Sequence, residues 1–369
     1  MYKILLFLCM LLCYACNQTD SIKKNVKLTH IDYSNASRKD LSSIPDSILG
    51  KPHYILVKET SLDCMCHQFS KVKHFANRWY ILDFKLKKLI ACDSYGNPIR
   101  KIGERGNGPE EYINIADFDV SVKGFIYCID GQLDKLFIYN PDYSVRKVLK
   151  LPFEADAIQV MDNGDILFGL SSWNKGKGKG FKLMLTDNNL NKKYAFLSYD
   201  EYKDDNYWIS TYSFTKHGKA IAYNQPIDNN IYIIPSEKTD SIQSYMFDFG
   251  LRNVPNEHKK NIERNLDEFE HYTLLKSPIV ATDDYVAGTL LDGRKTKFFI
   301  FDIKNNISYE GKELEEYDDS QLIGYSEPYI ISAIEPMMEL PEDCTYPDSV
   351  KKHLLHEGRV IVLRQLHSN

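Results

Sequence analysis

A strand pattern that returns along the chain constrains the fold more than any other feature. Trp79-Tyr-Ile-Leu-Asp83 is followed by Lys88-Leu-Ile-Ala-Cys-Asp93, a turn at Ser94-Tyr-Gly-Asn-Pro98 and then Ile99-Arg-Lys-Ile102. The same order comes back as Phe125-Ile-Tyr-Cys-Ile-Asp130, Lys135-Leu-Phe-Ile-Tyr-Asn140, the turn Pro141-Asp-Tyr143 and Val145 to Leu149. Setting Trp79 against Ile126 gives a period of 47 residues. Further copies begin near Ile166, Ile221, Val286 and Tyr329, each with apolar residues at alternate positions and turn residues between runs. A period of this size with three or four strands per copy is the signature of a propeller blade. A single blade cannot bury both of its faces, whereas a closed ring of blades can. The expected fold is therefore all-β, a six-bladed β-propeller over residues 28–369. The ring is expected to close on a blade built from both chain ends. Leu28 to Tyr33 or Tyr54 to Val57 can serve as the partner of Arg359-Val-Ile-Val-Leu-Arg364.

Two inserts carry helical signals. Pro255 to about Lys276 opens on proline and sets Ile262, Leu266 and Phe269 on one face. Pro347 to His356 opens on Pro-Asp and stops at Gly358. Ser171 to Gly180, with glycine alternating with lysine, reads as a flexible loop.

The N-terminus lies outside the repeats. Lys3 precedes Ile4 to Ala15, an uncharged run too short for a bilayer, which needs about 20 apolar residues. Residues 1–15 therefore read as a signal peptide. Ala15-Cys16 resembles the lipobox of bacterial lipoproteins, with Cys13 standing where those motifs usually carry leucine. The resemblance implies acylation of Cys16, a polar tether over residues 16–27, and, with Asn17 next, export toward the outer membrane. The mature chain would face the periplasm or the surface of the cell envelope. Five cysteines remain beyond residue 16, an odd number that excludes a complete disulfide framework and leaves room for one bridge. The formal charge of −5, without a clustered basic face, gives no footprint for nucleic acid.

Ile102-Gly-Glu-Arg-Gly-Asn-Gly-Pro-Glu-Glu-Tyr112, Ile115 to Val120 and Gly124 to Asp130 together resemble the NHL-type propeller repeat. With Leu151-Pro-Phe153, Asn163-Gly164, Tyr223-Asn-Gln-Pro226, Asn230-Ile-Tyr232 and Phe247-Asp-Phe-Gly250, the chain resembles the six-bladed β-propeller lipoproteins of Gram-negative, gut-type bacteria. That resemblance implies the fold and the lipid anchor and carries no particular activity.

Candidate chemistry is sparse. Gly103, Gly106 and Gly108 lack the spacing of a phosphate loop and suit positive φ at a blade junction. Arg105 beside them is a candidate anion contact at the channel rim. Cys64-Met-Cys66-His67 with His74 is too tight for a zinc knuckle and reads as buried thiols. His353-x-x-His356 lacks the glutamate of a metalloprotease helix. The acidic pairs Asp283-Asp284, Asp204-Asp205, Asp318-Asp319 and Glu110-Glu111 sit at expected turns. Asp130 and Asp302 end strands, where their carboxylates can accept turn N–H groups. No catalytic residue, metal site or cofactor is expected. The better lead is aromatic. Trp173, Tyr207, Trp208 and Tyr223 lie near expected loops of the middle blades, where flat rings either pack between blades or, at a loop, suit a sugar or peptide. The expected function is a binding or scaffold module for a glycan, peptide or protein partner. The alternative is a metal-dependent hydrolase or lyase centred on the channel. An aromatic-lined funnel favours the first, and ionisable groups converging at one channel mouth favour the second.

Overall fold

The structure is a computed structural model. It describes residues 26–58, 61–199, 214–224, 229–236, 242–259, 270–293, 295–313, 322–341 and 344–368. The described chain forms six blade sheets in a ring, each built on four antiparallel strands, a six-bladed β-propeller.

Blade 1 comprises Lys71–Phe75, Arg78–Asp83, Lys88–Asp93 and Pro98–Ile102. Blade 2 comprises Ile115–Val120, Ile126–Asp130, Lys135–Tyr139 and Val145–Lys150. Blade 3 runs through Ala155–Val160, Ile166–Leu170, Phe181–Thr186 and Lys192–Ser198. Blade 4 is Phe214–His217, Ala220–Tyr223, Asn230–Pro235 and Ile242–Asp248. Blade 5 is Thr273–Ala281, Tyr285–Asp292, Lys295–Asp302 and Ile307–Glu313. Blade 6 takes Leu322–Ser326, Tyr329–Ile334 and Arg359–Gln365 from the end of the chain and His53–Val57 from its beginning. In every blade the first-named strand is innermost. The six repeat starts read from the sequence all fall in the second strand of a blade.

Strand alternation explains why the ring closes. In blade 2, Ile126 and Cys128 pack toward blade 1, while Tyr127 and Ile129 pack toward blade 3. Successive side chains on a strand point to opposite faces, so one run of apolar residues supplies two interfaces. Each of the six blade junctions holds its own buried cluster. A fully buried isoleucine such as Ile126 or Ile129 contributes about 1.5–3 kcal/mol.

Of the two N-terminal segments that the sequence offered for ring closure, His53–Val57 is the one used. It runs antiparallel to the last strand, with Ile55 opposite Ile361. The other, Val26–Asp32, lies parallel to Ile242–Asp248 as a fifth strand on blade 4. Ser37–Asp40 does the same for blade 5 against Ile307–Glu310. Both cover an outer sheet edge that would otherwise offer unpaired backbone groups. Tyr33 fixes the segment between them. Its ring packs on Phe247, Phe249, Phe299 and Phe301, and its hydroxyl lies 2.6 Å from Ser308 Oγ.

Helix α1, Asp348–Leu354, follows Pro347 as expected and buries Val350 and Leu354 against Ile334 and Val360. The other helical expectation is corrected at its C-terminal end. Thr273 to Lys276 belongs to the innermost strand of blade 5, because that strand pairs with Leu290, Leu291 and Asp292. Only a 3-10 turn, Asn256–His258, is described near its start, and Ile262, Leu266 and Phe269 lie outside the described residues. Residues 171–180 are more tied down than their glycine content implied. Asn174 is buried, its Oδ1 accepts the Glu154 and Gly176 N–H groups, and its Nδ2 donates to the Lys177 carbonyl.

Candidate functional site

The C-terminal ends of the innermost strands surround one mouth of the channel. A cavity of about 210 Å³ lies there, lined from blades 1, 2, 3, 4 and 6. Blade 5 contributes none of the lining. Its innermost strand is bulged between Lys276 and Val280, and blades 4 and 6 meet directly instead. His217 Nδ1 stands 2.8 Å from the Tyr325 hydroxyl, and the Gly218 N–H donates to Glu327 Oε2 at 2.6 Å. Thr215 Oγ1 donates to the Ile279 carbonyl at 2.6 Å and so ties blade 4 to blade 5 below the mouth.

Ion pairs between blades line the cavity. Lys73 of blade 1 donates to Asp119 of blade 2. Asp119 is buried and also accepts Gln159 Nε2 and the Val160 N–H of blade 3, both at 2.7 Å. Its own chain adds the Val120 N–H at 2.8 Å. One carboxylate thus fastens three blades and is fully satisfied, as a buried charge must be. Lys216 of blade 4 pairs with Asp162 of blade 3. Glu327 Oε1 lies 3.7 Å from His217 Nδ1. Burial lowers the His74 imidazole from its usual range, and the ring rests 4.4 Å from the Trp79 ring. Burial and the nearby Glu327 charge raise the Tyr325 phenol. Apolar contact comes from Phe75, Val120, Val122 and Val160. The site therefore offers fixed charges of both signs on a partly apolar wall.

The aromatic lead fares differently. Tyr223 is buried between blades 3 and 4, where it packs on Phe214. Trp173 is 43% exposed and stands on the loop between the second and third strands of blade 3, away from the mouth lining. Tyr207, Trp208 and Cys16 lie outside the described residues. Arg105 is exposed but does not line the mouth. It sits where blade 1 hands over to blade 2, at the other end of the blades. Sequence reasoning missed Lys73, Asp119, Asp162, Lys216 and Glu327. For Lys73, Asp119 and Lys216 the available signal was a charge inside a short strand, because a charge on an innermost strand has to face either a partner or the channel.

The other singled-out groups have local roles. Only Gly103 of its cluster has positive φ, at 71°. Gly106 and Gly108 instead leave room for the Glu111 carboxylate, which a Cβ at either position would strike. Asp130 accepts the N–H groups of Gln132 and Leu133 in the following turn and of Ile113 on the approach to its own blade. Asp83 does the same one period earlier with Leu86 and His67. Asp302 accepts the Asn305 N–H. Cys64 and Cys66 pack in the blade 6–blade 1 core, in a loop rather than a strand, and the five cysteines beyond the N-terminus are free thiols. His353 Nε2 lies near the carbonyls of Val57 and Arg359, while His356 is exposed beside the Lys352 carbonyl. Among the described residues, no three His, Cys, Asp or Glu side chains stand together in a way that could hold a metal ion.

Comparison with known proteins supports the architecture. The structure is similar to that of a Bacteroides fragilis protein titled "Putative exported protein", with a TM-score of 0.75 and 18% sequence identity over 92% of this chain and 100% of that one. It is also similar to a member of the duf4221 family from Bacteroides vulgatus, with a TM-score of 0.53 and 9% identity over 88% of this chain and 100% of that one. At these identities the likeness is one of fold. No curated protein matches the sequence. A family model does match it across residues 29–331, the greater part of the ring, and the chain belongs to that family, described as Domain of unknown function (DUF4934).

Proposed function

We propose that this chain is an exported, lipid-anchored recognition module that receives a charged group of a peptide or protein partner at the channel mouth. The observation that carries the reading is the two blade-to-blade ion pairs, Lys73–Asp119 and Lys216–Asp162, at the 210 Å³ cavity. Partly exposed pairs such as Lys216–Asp162 add only about 0.2–1 kcal/mol to stability. A ligand can therefore exchange its own charges into them at small cost. The mixed signs favour a peptide or protein over a neutral glycan, because only a ligand with charges of its own gains by exchanging into the existing pairs. Export rests on the N-terminal segment, in keeping with the name of the B. fragilis neighbour, and the anchor rests on Ala15-Cys16. No helix among the described residues is long and apolar enough to cross a membrane.

One observation favours a second reading. Ionisable groups outnumber purely aromatic rings at the mouth, and that arrangement also suits a channel-centred hydrolase or lyase. Each carboxylate there already meets a cation or a backbone N–H, which suits holding a charge pattern better than moving a proton.

A peptide and glycan array on the purified chain, with metal analysis of the same preparation, separates the readings. Binding of charged peptides that Lys216→Gln or Glu327→Gln weakens at least tenfold supports recognition at the mouth. Stoichiometric metal together with turnover of an ester or glycoside overturns it in favour of catalysis.

A further inference from the structure

A second cavity, of about 180 Å³, lies at the other end of the blades, where blade 1 passes to blade 2. It shares no lining residue with the mouth and is argued independently of the recognition reading. Lys87, Lys88, Lys101, Arg105 and Tyr112 line it, with Asp63 at its edge. Two side chains there are buried and lack the partners their chemistry calls for. Lys88 is 8% exposed, and among the described residues its ammonium reaches only the carbonyl oxygens of Leu62 and Asp63, at 3.3 and 3.1 Å. No carboxylate of the described residues pairs with it. Tyr112 is 1% exposed, and its hydroxyl has no hydrogen-bond partner among the described residues.

The surrounding charges are unbalanced. Lys101 is committed to Glu104 at 2.6 Å and Asp63 at 3.9 Å. Arg105 and Lys87 pair with no carboxylate among the described residues, so three cations remain without a counter-ion. A buried ammonium and a buried hydroxyl both gain from an acceptor delivered to them. An exposed guanidinium supplies the planar fork that grips two oxygens of one anion. Two ammonium groups, a guanidinium and a hydroxyl suit a group with three or four oxygens better than a carboxylate with two.

We propose that this cavity binds a tetrahedral oxyanion, the phosphate or sulfate group of an ester. Lys88 and Tyr112 form its floor, and Arg105 with Lys87 closes it from the solvent side.

The test is calorimetric titration of the full chain with inorganic phosphate and inorganic sulfate at low ionic strength. One saturable site is expected. Arg105→Gln, an exposed change that spares the core, should weaken it at least tenfold, and Tyr112→Phe severalfold. Lys216→Gln at the mouth should leave it unchanged, which keeps this site distinct from the recognition reading. Absence of saturable binding, full binding by Arg105→Gln in a protein of native circular dichroism, or equal loss in Lys216→Gln overturns the proposal. Glucose 6-phosphate and phosphatidylglycerol vesicles then separate a soluble ester from a lipid headgroup. Binding of either supports the site, and rejection of both overturns the ester assignment.

Discussion

The Lys71 ammonium lies 2.6 Å from Asp117 Oδ1, with the two side chains 3% and 1% exposed. Lys71 also donates to the Phe118 carbonyl, and Asp117 Oδ2 accepts the Ile158 N–H, so one pair binds blades 1, 2 and 3. Burial lowers the Lys71 ammonium and raises the Asp117 carboxyl, and each is opposed by its partner's charge. Removing one member strands the other in the interior. Lys71→Met should cost about 3–5 kcal/mol in chemical denaturation. Lys71→Met with Asp117→Asn keeps an acceptor for Ile158 without the stranded charge, and should recover a good part of that loss. A single substitution costing under about 1 kcal/mol would contradict a buried charged pair.

Gly103 sits over the Tyr139 ring, and a Cβ there would come 2.2 Å from the Tyr139 hydroxyl. Its φ of 71° adds backbone strain for any other residue. Gly103→Ala is expected to destabilise by about 1–3 kcal/mol. The Tyr139 hydroxyl is buried without a partner among the described residues, so Tyr139→Phe alone should be neutral or slightly stabilising. The double variant should melt above Gly103→Ala, and a simple sum of the two single effects would show that the clash is not what matters.

Burial pushes the Asp156 carboxyl up to about 6, with the Ser171 hydrogen bond opposing the rise. Its unfolded value is about 3.9. The folded state thus holds the proton more tightly, so this group's contribution is full below about pH 4 and is lost as pH rises through 6. The whole step amounts to about 3 kcal/mol. Asp156→Asn should raise the melting temperature at pH 7.5 and flatten the profile between pH 4 and 7. A wild-type profile without a fall in that window would show that the Asp156 carboxyl is not desolvated.

Ile55 lies opposite Ile361 across the closing strand pair. Ile55→Cys with Ile361→Cys should therefore cross-link under mild oxidation, as side chains directly opposite on antiparallel strands stand close enough for a disulfide. Ile31→Cys with Ile361→Cys should not, because Ile31 pairs with Phe247 on blade 4. Peptide mapping under non-reducing conditions distinguishes the two, and the reverse result would move the ring closure to the other N-terminal segment.

Cys16→Ser should release the protein from the membrane fraction into the soluble one. Retention in the membrane pellet would remove the lipid anchor from the proposed function.

Much of the ring was legible in the sequence because its cause is local. Alternation at Trp79, Ile126 and Ile166 states which residues face a neighbouring blade, and Gly96 and Gly164 mark turns that need positive φ. The carboxylates of Asp130 and Asp302 were readable for the same reason, since their partners lie within a few residues. The mouth was not legible. Lys73 and Asp119 are 46 residues apart, and nothing near either names the other.

Sequence alone determined that the chain forms strands grouped in six similar modules, each too thin to hide both faces. Tertiary structure decided that His53–Val57 completes blade 6 while Val26–Asp32 covers blade 4. It also decided that Arg105 stands at the far end of the blades from the ion-paired mouth, and that Tyr223 is packed away between two blades. The physical reason is that alternation and turn chemistry act over a few residues, whereas partner choice between distant strands follows from which edges and charges remain open once the ring has closed.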